Sequence, residues 1–151
     1  MNPHFQQILE ALCAEKVEFL VVGAYALGAH GLLRFTADLD IFVRPTPENA
    51  RNVWRALLRF GAPLSGMSVD DFANPDIIFR MGRPPNAIDI IMSITGVTFD
   101  EAWGNRQEYK IEATDVFVLS PRDQVTNKRA AGRPKDLIDA DWLEHHKLRE
   151  E

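Results

Sequence analysis

Near the start of the chain, Phe5, Ile8, Leu9 and Leu12 stand three and four residues apart with polar side chains between them. That spacing predicts an amphipathic helix from about Pro3 to Lys16, covering one side of a sheet. The run "VEFLVV" is β-branched and aromatic and stops at Gly23, as a buried strand does. "AYALGAHG" then reads as a short helix closed by Gly31, and "DLDIFV" as the next strand. Thr46, Pro47 and Glu48 form a helix start, the apolar positions Val53, Trp54, Leu57 and Leu58 continue it to Phe60, and Gly61 ends it.

The segment from Ala62 to Pro75 has no clear period and predicts an irregular, mobile loop. "DIIFRMG" and "NAIDIIMSI" are strand-like and joined by "GRPPN", which predicts a hairpin. "TFDEAWGN" gives one or two helical turns, and "EYKIEA" and "VFVLS" give two more short strands. Ser120 and Pro121 open the helix "PRDQVTNKRAA", Gly132 stops it, and "RPKDLIDADWLEHHK" makes the last helix. The element order predicts an α+β fold, a mixed β-sheet flanked by helices, in a single domain over residues 1–151.

Composition narrows the setting. A chain of 151 residues with 46% hydrophobic content can bury one real core. No apolar run approaches the roughly 18 to 20 residues that cross a bilayer, and no secretory leader is recognisable, so a soluble, cytoplasmic protein without membrane contacts is expected. The lone cysteine, Cys13, excludes an internal disulfide and a multi-cysteine zinc site; on the apolar helix it is expected to be a small buried side chain. A net charge of -5 argues against bulk coating of nucleic acid, although "NKRAAGRPK" could hold a phosphate locally.

The chemistry concentrates in three aspartates. In "DLD", Asp38 and Asp40 would share one face of a strand while Leu39 and Ile41 share the other. Asp89, within "AIDIIM", again sits among residues suited to burial. If these strands are neighbours, three carboxylates converge and repel unless a cation lies between them. Magnesium suits such a site, because it takes hard oxygen ligands and accepts the rest from substrate phosphates. Upstream, Gly23 and Ala24 end a strand and enter a helix, where free backbone N–H groups could face a phosphate.

The pattern of an apolar strand, Gly plus a small residue, a short helix and then Asp-x-Asp resembles the nucleotidyltransferase superfamily that includes polymerase beta. Thirteen residues lie between Ala24 and Asp38. "VVGAYALGAHGLLRFTADLDIFV" and "NKRAAGRPKDLIDADWL" are most similar to the small AbiEii and minimal nucleotidyltransferase type. The resemblance implies that Asp38 and Asp40 bind two magnesium ions, with manganese able to substitute, and that Asp89 is the third metal carboxylate and a base toward the acceptor. It also implies that Gly23 and Ala24 line the phosphates of a nucleoside triphosphate such as ATP and that Lys128 contacts the triphosphate, with Arg129 beside it. The acceptor hydroxyl, on RNA such as transfer RNA, on protein or on a small molecule, stays open. A toxin-antitoxin role and a partner protein or homodimer completing the site are further implications. Ala24 departs from the family pattern, since it offers no hydroxyl. A catalytically inactive nucleotide- or partner-binding domain is therefore the alternative, and hydrolysis by the same carboxylates a third reading.

Structural roles compete for each residue. Asp89 could pair with Arg80 or Arg83, and Lys128 and Arg129 could be cations at a helix C-terminus. Arg34 and Thr36 could reach a phosphate or cap the strand. Asp136 reads as a first-turn acid or a partner of Arg133, His30 as structural, and His145 and His146 as solvated. No Ser-His-Asp or Cys-His pairing is suggested, which removes acyl transfer.

Overall fold

The computed structural model describes residues 2–32 and 37–148. Helix α1 (Pro3–Ala14) leads into strand β1 (Phe19–Val22), helix α2 (Gly23–Ala29), strand β2 (Leu39–Val43) and helix α3 (Pro47–Phe60). The hairpin β3 (Ile78–Met81) and β4 (Ile88–Ile91) follows, then α4 (Phe99–Gly104), the hairpin β5 (Gln107–Ile111) and β6 (Thr114–Val118), and helices α5 (Pro121–Ala131) and α6 (Pro134–Leu143). The six strands form one mixed sheet in the order β3-β4-β2-β1-β6-β5. β1 runs antiparallel to β2, whereas β2 and β4 are parallel.

Local chemistry explains the boundaries. Thr46 accepts a hydrogen bond from the Asn49 amide at the start of α3, and Gly61 ends it in the left-handed conformation with φ 91°. Ser120 caps α5 on the Asp123 amide, and Gly132 ends it in the same way. One sheet face is buried against α1 and α3, where Ile8, Leu9, Leu12, Val53 and Leu57 meet Leu39, Ile41, Ile88 and Ile90. The opposite face packs Leu20, Val22 and Phe42 against Phe99 and Ala102 of α4. A third cluster joins α2 to α5 and α6 through Leu27, Val125, Ala140 and Leu143.

Three expectations change. Cys13 is exposed rather than buried, because the core-facing stripe of α1 runs through Phe5, Ile8, Leu9, Ala11 and Leu12 and leaves Cys13 at its edge. Its sulfur lies 3.9 Å from the Asp115 carbonyl. The segment between α3 and β3 holds a turn of 3₁₀ helix, Val69–Ala73, pinned by the Ser68 amide donating to Asp71 at 2.8 Å. Phe72 of that turn is fully buried and meets Trp54 and Phe79 edge-on. The last helix stops at Leu143 and widens into a π turn over Glu144–Leu148. No helix among the described residues is long and apolar enough to cross a membrane.

Candidate functional site

β2 and β4 lie side by side with Asp40 opposite Asp89, so parallel pairing places two carboxylates on neighbouring strands of one sheet. Asp38 precedes β2 by one residue, where its Oδ1 accepts a hydrogen bond from the Ala87 amide at 2.9 Å. This bond ties the entrance of β2 to the entrance of β4. All three sequence-expected aspartates therefore meet at one end of the central strands.

Asp40 carries the electrostatic strain of the arrangement. Burial first, then the charge of Asp89, a hydrogen bond with it and the charge of Asp38, push its carboxyl up to about 7, with Arg80 opposing. Val22 pairs with Asp40 across β1 and β2, so the chain turns into α2 directly beside this carboxylate. Gly23 makes that approach possible. Its φ is +66°, and a Cβ there would lie 2.3 Å from Asp40 Oδ2. No side chain caps the first turn of α2. Ala24 sits in that turn and offers only its backbone as a hydrogen-bonding group.

Arg80, opposite Asp89 in the β3 and β4 pair, binds both of that residue's oxygens: Nε to Oδ1 at 2.7 Å and Nη2 to Oδ2 at 2.8 Å. Its Nη2 also lies 3.7 Å from Asp38 Oδ2. These contacts hold the guanidinium firmly charged. Among the described residues no group of three or more His, Cys, Asp or Glu side chains stands ready to hold a metal ion. Arg80 occupies both oxygens of the third carboxylate. Even so, three carboxylates face one guanidinium, and Asp40 meets the remaining charge by favouring its proton. Hard oxygen donors with an unbalanced negative charge fit magnesium, and Asp38 and Asp40 are the residues that would hold it.

The basic residues of α5 have a different setting from the one expected. The Lys128 ammonium lies 3.5 Å from both Asp136 and Asp139 of α6, whose side chains are 1% and 2% exposed. Arg129 pairs with Asp141 and Glu144 at 3.1 and 3.0 Å. Both thus join α5 to the C-terminal helical segment. Asp136 is also gripped by Arg133 at 2.6 Å, as its structural reading anticipates, and that bond pulls its carboxyl below the usual range. His30 is buried, and its Nε2 donates to the Leu119 carbonyl at 2.8 Å; burial holds the imidazole below its usual pKa. Arg34 and Thr36 lie outside the described residues.

Sequence reasoning missed Gln124. It is fully buried on α5, and its Nε2 donates to the Gly23 carbonyl at 3.2 Å, fixing α5 against the turn beside Asp40. Lys128 lies one helical turn further along the same face, and that spacing was the available signal. Asp139 was also missed, although opposite charges on two helices joined by one glycine turn hinted at its pairing with Lys128.

No family model matches the chain, and no curated protein matches its sequence. Solved structures do match. One is the crystal structure of a "putative nucleotidyltransferase" from Thermotoga maritima, 16% identical, with a TM-score of 0.53, covering 97% of this chain and 91% of that one. The likeness establishes a nucleotidyltransferase-like fold.

Proposed function

We propose that the chain is a magnesium-dependent nucleotidyltransferase that moves a nucleoside monophosphate from a nucleoside triphosphate such as ATP to a hydroxyl acceptor. The observation that carries this reading is the convergence of Asp38, Asp40 and Asp89 beside the Gly23 turn, in a fold shared with a protein described as a "putative nucleotidyltransferase". Asp38 and Asp40 would hold two divalent ions, magnesium or manganese. When bound, such ions neutralise phosphate charge and align the attacking and leaving oxygens. The chain's own part is positioning and electrostatics. The Gly23 and Ala24 backbone accommodates the phosphates, and Asp89 receives the acceptor's proton. The acceptor oxygen bonds to the α-phosphorus as the bond to pyrophosphate breaks, and pyrophosphate leaves.

The acceptor hydroxyl is proposed to lie on RNA, transfer RNA included, on a protein or on a small molecule, and the resemblance to small AbiEii-like or minimal nucleotidyltransferases is what supports a toxin-antitoxin role. A partner protein or a second copy is proposed to complete the acceptor surface. A cytoplasmic setting is proposed. A second reading has two observations in its favour: Ala24 lacks a hydroxyl and Arg80 holds Asp89, which suits a domain that binds nucleotide or a partner without turnover. Incubation with each triphosphate labelled at the α-phosphate and with cellular RNA and protein separates the two. Label in a macromolecule with stoichiometric pyrophosphate, lost in Asp38→Ala and Asp40→Ala variants that keep the wild-type circular dichroism, supports transfer. Nucleotide binding with no pyrophosphate from any triphosphate supports the second reading.

A further inference from the structure

Arg80 stands on β3, an edge strand of the sheet, and its guanidinium reaches across to Asp89 on the neighbouring strand β4. Its two hydrogen bonds to Asp89 use both carboxylate oxygens, and its third contact is Asp38. About half of the side chain remains exposed, so it has open space into which to swing. Arg83, in the turn after β3, is exposed as well, and it supplies a nearby charge of the same sign.

We infer that Arg80 is a built-in counter-cation that occupies the third carboxylate until a divalent ion with its nucleotide displaces it. The side chain is a positioning residue. It keeps Asp89 from repelling Asp40 in the empty site and sets how tightly metal is held before nucleotide arrives. A guanidinium suits this role because its planar fork matches one carboxylate in two bonds and cannot lose its proton. Displacement frees Asp89 to act on the acceptor hydroxyl, which links metal binding to readiness of the base. This inference rests on the magnesium reading above.

The test is direct binding of manganese alone, followed by electron paramagnetic resonance of the free ion, for wild type, Arg80→Met, Arg83→Met and the Asp38→Asn, Asp40→Asn double variant. Arg80→Met should bind manganese about tenfold more tightly than wild type, since it gains a free carboxylate at the same site. Arg83→Met should stay within about twofold, because general screening of one surface charge is weak. Unchanged or weaker binding by Arg80→Met overturns the inference while leaving the metal reading standing, provided wild type binds and the double variant does not. Equal tightening in both arginine variants overturns it too, as a general charge effect. If no variant binds manganese, the metal reading and this inference both fall. Arg80→Lys guards against a folding defect in the methionine variant. It keeps the charge without the fork and should fall between wild type and Arg80→Met, whereas wild-type affinity there counts against displacement of a bidentate pair.

Discussion

At pH 8.5 and without divalent ions, Asp40→Asn should be more stable than the wild-type protein. The carboxyl of Asp40 moves from 3.8 in the unfolded chain to about 7 in the fold, driven by burial and by Asp89 and Asp38. A carboxyl raised in this way contributes stability that is fully present below about pH 3.8 and is lost as the pH rises through 7. Each unit of displacement is worth about 1.4 kcal/mol, so the ionised form costs about 2 to 4 kcal/mol at pH 8.5. Asparagine keeps the shape, removes the charge and can donate a hydrogen bond to Asp89. The gain should appear as a rise in Tm of about 5 to 12 °C. Urea unfolding in EDTA from pH 4 to pH 8.5 checks this, and the advantage of the variant should shrink toward zero at the acid end. Lower stability than wild type at pH 8.5, or a gain that does not change with pH, would refute the electrostatic account of the site. The same substitution should abolish nucleotidyl transfer, since the charge that strains the fold is the one proposed to hold the cation.

Other perturbations separate the roles of neighbouring residues. Gly23→Ala puts a Cβ 2.3 Å from Asp40 Oδ2 at a φ of +66°, and a stability loss of about 1 to 3 kcal/mol is expected in chemical denaturation. Combining it with Asp40→Ala should return part of that loss, because the clash goes and the backbone strain stays. Lys128→Met leaves Asp136 and Asp139 buried without their shared ammonium, for an expected loss of about 3 kcal/mol by urea unfolding; unchanged stability would assign Lys128 to phosphate alone. Phe72→Ala should cost about 3 to 5 kcal/mol by the same method, because its ring fills the core beneath the 3₁₀ turn.

The helices and strands that were readable in advance are those with both a period and a stop. α3 and α5 begin and end where Thr46, Gly61, Ser120 and Gly132 indicate, since capping is written in a few adjacent residues. The aspartates were legible because charge in a β-branched run has few explanations. Their partner was harder to see. Arg80 was one of two arginines near Asp89, and only the register of the β3 and β4 hairpin selects it over Arg83. Gln124 had only its spacing from Lys128 to mark it, as its bond to Gly23 depends on how α5 packs against a turn about a hundred residues away. The setting of Lys128 was similarly hidden, because the burial of Asp136 and Asp139 is created by the docking of α6. Phe72 shows the same limit from the other side: one aromatic in an aperiodic segment gives no pattern, yet it completes a core.

The most direct test of the central claim is calorimetric titration of the protein with each nucleoside triphosphate, with and without magnesium, beside the Asp38→Ala, Asp40→Ala double variant. The account predicts binding of at least one triphosphate that requires magnesium and disappears in the variant while its Tm is not lowered. Binding that ignores magnesium, or that survives loss of both carboxylates, would contradict it.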